Sequence, residues 1–349
     1  MINELEEKMF IGLWVTTACN LKCNYCYEGD DKHNEAMTIE TANKVIDFII
    51  QQAKIRNDEK IIVEFHGGEP LLNENIIRYV ISKLEKEFLG QNFQLMFGIT
   101  TNGTLISQNN INMLLEKMNY NFSISIDGKK ETHDYYRKFP NGGGTYDLIV
   151  ERINTCLADK LHNIRGRMTF DSNTVSSLYM NIKHMYELGF KTIVSVPDYF
   201  DKKWDEASMQ ILLEEMIKIN EWAKSLEDNE LLISIIDKNI VKKGICKGGI
   251  NTFHISPKGY IYPCSYVVGI DEFQIGYLEE DNPLNTEKIN SYQEIFCKKN
   301  PECIPCENED CCISTRCKIL NWLTTGYFLS PNAVVCNIEN VKYKFLSLL

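Results

Sequence analysis

Over roughly its first two hundred residues this chain alternates short apolar runs with longer segments of helical period. The runs fall at 10–15, 61–65, 95–100, 122–126, 164–170 and 192–196, and the helical segments at 39–54, 75–88, 110–118, 146–157 and 176–188. A run too short for a helix, rich in β-branched and aromatic residues and followed by an amphipathic stretch, is the pattern of a strand and its crossover helix. Its repetition predicts a parallel sheet with helices outside. In such sheets the functional loops follow the carboxyl ends of the strands. Chemistry-bearing residues are therefore to be sought there.

The loop after the first predicted strand reads Thr17-Ala18-Cys19-Asn20-Leu21-Lys22-Cys23-Asn24-Tyr25-Cys26-Tyr27. Its CxxxCxxC spacing supplies three thiolates, soft ligands that suit iron-sulfur clusters and zinc, and leaves one coordination position open to a small molecule. A zinc knuckle, or three buried structural cysteines, would satisfy the same spacing. The second strand ends in His66-Gly67-Gly68-Glu69-Pro70. Adjacent glycines there permit positive φ and a close approach of backbone to a ligand, although the pentapeptide alone is also a tight turn opening a helix. The third strand ends in Thr100-Thr101-Asn102-Gly103-Thr104 and the fourth runs into Ser125-Ile126-Asp127-Gly128, with Glu131, His133, Asp134 and Arg137 beyond. The Asn-Gly and Asp-Gly pairs are turn chemistry and need no ligand.

The carboxyl-terminal third changes character, with nine of the thirteen cysteines between Cys246 and Cys336. Cys246 and Cys264 flank a predicted hairpin whose turn is Ser256-Pro257-Lys258-Gly259. Then come Cys303, Cys306, Cys312 and Cys317 at intervals of two, five and four residues, and a final Cys336, with Cys297 and Cys311 left over. Thirteen cysteines in 349 residues fall below the roughly 8–10% that marks a disulfide scaffold. The acidic amino end lacks a secretory signal, and no apolar run approaches the length of a membrane helix. The expected location is a reducing cytoplasm, where cysteines read as metal ligands. A hydrophobic content of 44% excludes a mainly disordered chain, and a net charge of -11 argues against a nucleic-acid phosphate partner.

Together these motifs resemble the radical S-adenosylmethionine (radical SAM) enzymes that carry a C-terminal SPASM domain, peptide- and protein-modifying maturases related to sulfatase-maturing enzymes. The resemblance implies an α/β fold: a partial (β/α)6 TIM-like barrel over 1–205, a helical linker over 206–245 and a cysteine-rich iron-sulfur (SPASM) domain over 246–349. It implies that Cys19, Cys23 and Cys26 hold a 4Fe-4S cluster whose unique iron carries the amino and carboxylate groups of SAM. Tyr25, Gly67, Gly68, Glu69, Pro70 and Asn102 would line the SAM site, with Ser125 and Arg137 on its ribose and methionine carboxylate. An arginine fork suits a carboxylate. Two auxiliary 4Fe-4S clusters are implied, one on Cys246, Cys264 and Cys317, the other on Cys303, Cys306, Cys312 and Cys336. The interval before Cys317 is one residue longer than the family's usual three, and the Cys311-Cys312 doublet leaves the ligand choice open.

The implied activity is reductive cleavage of SAM to a 5'-deoxyadenosyl radical, which removes a hydrogen atom from a ribosomally made peptide on the way to a thioether or other side-chain crosslink. In the alternative, a cysteine or serine of a sulfatase is oxidised to formylglycine, which needs a carboxylate base. Asp237 falls where the sulfatase-maturing relatives carry that base, but the hairpin segment lacks their extra cluster cysteine. A third alternative is a non-catalytic cysteine-rich metal-binding or redox-sensing protein. The expected partners are a peptide or protein substrate and a one-electron donor such as flavodoxin or ferredoxin, with neither nucleic acid nor membrane. With eighteen residues before Cys19, a leader peptide is expected to bind the barrel or SPASM surface, or a separate leader-binding protein.

Overall fold

The computed structural model describes residues 8–26, 28–29, 34–56, 59–239 and 241–349. Its strands are β1 Lys8–Thr16, β2 Lys60–Gly67, β3 Gln94–Thr101, β4 Asn121–Ser125, β5 Arg165–Phe170, β6 Thr192–Pro197, β7 Leu232–Ile233, β8 Thr252–Ile255, β9 Tyr260–Tyr262 and β10 Gly276–Tyr277. The helices are α1 Ile39–Arg56, α2 Glu74–Glu87, α3 Ile111–Lys117, α4 Lys130–Tyr136, α5 Tyr146–Cys156, α6 Leu178–Glu187, α7 Glu206–Ser225, α8 Thr286–Phe296, α9 Ile313–Arg316, α10 Lys318–Thr325 and α11 Ala333–Ser347. All six expected strands and five expected helices are present, to within two residues at every end. Among the described residues no helix is long and apolar enough to cross a membrane.

The chain forms two compact units: Met1–Lys22, Cys26–Phe122 and Lys247–Gln293 make the first, and Cys23–Tyr25, Ser123–Cys246 and Glu294–Leu349 the second. In the first the strand order is β10-β9-β8-β1-β2-β3. β1 pairs in parallel with β2 on one edge and with β8 on the other, Ile11 facing both Val63 and Phe253. The expected hairpin is present as β8 and β9, but it extends the sheet of the amino-terminal strands instead of standing in a separate carboxyl-terminal domain. Its turn closes at Gly259, whose φ of +87° lies where glycine alone is unstrained. Parallel strands are buried on both faces, which is why β1 reads as a continuous apolar run. Met9, Ile11, Leu13 and Val15 are fully buried, each such side chain contributing roughly 1.5–3 kcal/mol. On the opposite face Gly12 makes room for His254, whose Nδ1 would lie 2.2 Å from an added Cβ.

In the second unit β4, β5, β6 and β7 follow in order, all parallel. The stretch expected as a helical linker holds α7 and then β7, which pairs with β6 through Ile193 and Ile233. α7 starts at a capping box in which the Asp205 carboxylate accepts from the Ser208 amide at 2.8 Å. Its buried stripe, Met209, Leu212, Leu213, Met216 and Ile219, repeats at helical spacing and packs with α11. Between α8 and α11 the elements are short: 3-10 turns at Pro301–Cys303 and Glu309–Cys311, then α9 and α10.

Candidate active site

In the first unit the His66–Pro70 segment folds against the start of the cysteine loop. The Gly68 amide donates to the Thr16 carbonyl at 3.3 Å and the Glu69 amide to the Ala18 carbonyl at 2.9 Å. A Cβ at Gly68 would come within 2.5 Å of the Ala18 oxygen, and Gly67, at φ +139°, would put one 2.0 Å from the Thr16 oxygen. The close approach that requires these glycines is thus one of backbone to backbone. Pro70, buried, opens the 3-10 turn Pro70–Asn73.

Glu69 is fully buried, and its carboxylate ties three segments together. One oxygen accepts from the Leu71 amide at 3.1 Å and the Thr101 hydroxyl at 2.8 Å, the other from the Asn102 amide at 2.7 Å. Burial nevertheless pushes the Glu69 carboxyl up to about 7, because three dipoles do not replace water or a cation. Asn102 in turn donates to the Asn20 side-chain oxygen at 2.8 Å, and Asn20 donates to Thr104 at 2.8 Å, so the cysteine loop is pinned to the turn after β3. Nearby on β2, His66 stacks on Trp14 with ring centres 4.7 Å apart.

In the second unit Tyr25 and Arg137 share one carboxylate. Arg137 donates to both oxygens of Asp127, Nε at 2.9 Å and Nη2 at 3.3 Å, and the Tyr25 hydroxyl donates to the same group. The guanidinium lies 5.3 Å from the Tyr25 ring centre, and the Thr169 amide completes the carboxylate shell at 3.0 Å. Asp127 is the residue that sequence reasoning passed over, taking it only as half of a turn; its place beyond β4, six residues before a histidine, was the available signal. His133 is fully buried, with Nδ1 accepting from the Asp127 amide at 3.2 Å and Nε2 bonded to Thr145 at 2.9 Å. Burial lowers its pKa to about 4, which keeps the ring neutral. Ser125, the last residue of β4, is buried.

No disulfide forms among the described cysteines, and Cys19, Cys23 and Cys26 are half-buried in their loop. Among the described residues no three His, Cys, Asp or Glu side chains converge as a finished metal shell. The thiols of the second unit nonetheless fall into two neighbourhoods. Burial raises the Cys336 pKa, with the Cys303 and Cys306 thiols adding to it. Burial likewise pushes Cys312 up to about 11, with Glu339 and Cys336 contributing. Cys317 is pushed up to about 11 by burial, and the thiol it feels is Cys246. Cys264 follows β9 in the first unit, and Cys297 is exposed. Of the doublet, Cys312 is buried and feels the half-buried Cys336, whereas Cys311 lines a cavity of about 140 Å³ together with Asp237, Lys243, Glu339, Lys342 and Tyr343. Asp237 itself is exposed, and its Oδ1 accepts from the Asn239 amide at 3.0 Å and the Asn239 side chain at 2.8 Å.

The donor set suits an iron-sulfur group and its cationic ligand: soft sulfur in one loop and, beside that loop, a buried carboxylate without an ion-pair partner among the described residues. Comparison with known proteins agrees with this chemistry. Residues 15–171 match the Radical SAM superfamily. The chain is 26% identical over 286 residues to a cysteine-type anaerobic sulfatase-maturating enzyme of Clostridium novyi, covering 75% of this chain and 74% of that one. It is 25% identical over 333 residues to the radical SAM cyclopropyl synthase TigE of Paramaledivibacter caminithermalis, covering 86% and 66%. Among solved structures, anSMEcpe with bound AdoMet superposes with a TM-score of 0.77 at 18% identity, over 97% of this chain and 93% of that one.

Proposed function

We propose, on the premise that this chain carries a radical SAM domain and is an enzyme of that superfamily, that it matures a ribosomally made peptide by hydrogen-atom abstraction, forming a thioether or other side-chain crosslink. Cys19, Cys23 and Cys26 would hold the SAM-binding 4Fe-4S cluster, and Cys303, Cys306, Cys312 and Cys336, with Cys246, Cys264 and Cys317, the two auxiliary clusters. When reduced with SAM bound, such a cluster supplies a carbon-centred radical able to attack an unactivated C–H bond.

The protein's own part is binding and positioning. Glu69 offers a buried negative charge to the SAM amino group, and Asn102 holds the loop that carries the ligands. Arg137 has Nε and Nη2 committed to Asp127, so its assigned carboxylate contact would use its remaining N–H groups. Tyr25, stacked under that guanidinium, fixes its plane. Gly67 and Gly68 bring the strand end against the start of the cysteine loop, and Pro70 opens the turn that follows; in the second unit Ser125 ends β4.

One observation carries the crosslinking reading over formylglycine formation: the environment of Asp237. A general base needs a carboxylate poised toward its proton, and this one is exposed and already accepts twice from Asn239. The sulfatase-type reading keeps the support of the Clostridium novyi relative. Mass spectrometry of cysteine-containing candidate peptides, incubated anaerobically with enzyme, SAM and reductant, separates the two. Crosslinking appears as a loss of two hydrogens per bond, mapped by fragmentation to a cysteine and a partner residue. An aldehyde in place of a cysteine thiol or serine hydroxyl would overturn it. The Asp237→Asn variant is expected to modify peptide within about tenfold of the parent, well short of the hundredfold or greater loss that removing a general base brings.

A further inference from the structure

The second unit contains a buried cation that the proposed reaction does not use. Lys318, the first residue of α10, is 1% exposed. Its Nζ donates to the Asn300 side-chain oxygen and, at 2.7 Å, to the Thr315 carbonyl, both neutral acceptors. Among the described residues no carboxylate pairs with it, and Glu309, the acid whose charge it feels, is ion-paired at 2.9 Å with Lys299. Burying an ammonium among neutral partners costs several kcal/mol and lowers its pKa, so negative charge close by is what would keep it protonated.

Two thiols stand near Lys318. Cys303 and Cys317 both feel its charge. Asn300, which accepts from Lys318, donates in turn to the Cys303 sulfur at 3.6 Å and to the Ser314 carbonyl at 3.0 Å. The Ser314 hydroxyl is buried without a hydrogen-bond partner among the described residues. Asn321, also fully buried, braces the same Ser314 carbonyl at 2.9 Å. The Cys303 thiol is therefore met by an amide N–H, and the oxygen of that same amide holds the ammonium. A neutral thiol answers neither group with charge; negative sulfur answers both.

We propose that Lys318, held by Asn300 and Thr315, is the fixed countercharge of the carboxyl-terminal thiolate site and raises the reduction potential of the cluster that Cys303 helps to hold. This rests on the auxiliary-cluster reading given above. A positive charge in a low-dielectric interior stabilises the reduced, more negative cluster, and hydrogen bonds to ligand sulfur act in the same direction. A raised potential suits an acceptor that takes an electron from a substrate radical.

The test uses the full chain with Cys19, Cys23 and Cys26 replaced by alanine, so that only auxiliary clusters are loaded, reconstituted anaerobically and titrated electrochemically with detection by electron paramagnetic resonance. Lys318→Met should move the midpoint potential to more negative values with iron content unchanged. Lys318→Gln keeps an N–H donor without the charge, so it decides the matter if the methionine variant does not fold; it should move the same way. Lys318→Arg should return the potential toward the parent value. Potentials in the glutamine and methionine variants equal to the parent's, or more positive, would overturn the proposal. If the starting chain takes up no cluster at all, the auxiliary-cluster reading fails and the proposal falls with it, an outcome distinct from an unshifted potential.

Discussion

Glu69→Gln tests the buried carboxylate around which the amino-terminal loops are organised. The parent carboxyl sits at about 7 when folded, raised by burial, against an unfolded value of about 4.3. The folded protein therefore holds this proton at pH values where the unfolded chain has lost it. The resulting stability, about 4 kcal/mol, is complete below about pH 4 and is lost as pH rises through 7. Glutamine has no such titration, but it carries one carbonyl where two acceptor oxygens are needed. Its NH2 must meet either the Asn102 amide or the Leu71 and Thr101 donors, and a buried donor left unmet costs about 1–3 kcal/mol. Chemical denaturation of both SAM-free chains at pH 5, 6, 7 and 8 measures the difference, in which all other titrating groups cancel. The variant should be the less stable at pH 5, and the gap should shrink by on the order of 3 kcal/mol by pH 8. Added SAM should flatten this pH dependence in the parent by placing a cation beside the carboxylate. A gap that stays constant or widens with pH would refute the reasoning.

Gly68→Ala places a methyl 2.5 Å from the Ala18 carbonyl oxygen, an overpacking cost of about 1–3 kcal/mol; it should lower the melting temperature and the iron bound by the amino-terminal loop together, and loss of SAM affinity at unchanged stability would place the constraint on the ligand instead. Asp127→Ala leaves Arg137 buried without its carboxylate, so denaturation should show a loss of about 3–5 kcal/mol, and a loss below 1 kcal/mol would mean that solvent reaches the guanidinium.

The strands and their loops were legible in the sequence because parallel strands are buried on both faces and the crossover helices between them carry a single stripe; each signal is local. The attachment of 252–255 to β1 was not legible, since pairing across more than two hundred residues leaves no periodic trace in either segment. For the same reason the compact units do not follow the linear division into barrel, linker and SPASM domain. α4 went unseen: with only His133 and Tyr136 buried, it has too narrow a stripe to register. In the site, residue types announced sulfur chemistry, but who partners whom was hidden. Arg137 reads equally well as a ligand contact or as half of an ion pair, and only the fold puts Asp127 against it. The Cys311-Cys312 doublet likewise reads alike in the sequence, and only the fold buries Cys312 and sets Cys311 on a cavity.

The central claim is that the Cys19–Cys26 loop carries the radical-forming cluster. The direct measurement is production of 5'-deoxyadenosine from SAM by the anaerobically reconstituted, chemically reduced protein, alongside its iron content. The account predicts about twelve irons in the parent, as three 4Fe-4S clusters require, with cleavage of SAM. Replacing Cys19, Cys23 and Cys26 by alanine should remove about a third of that iron and all cleavage. Stoichiometric zinc, or SAM cleavage that survives the triple replacement, would contradict it.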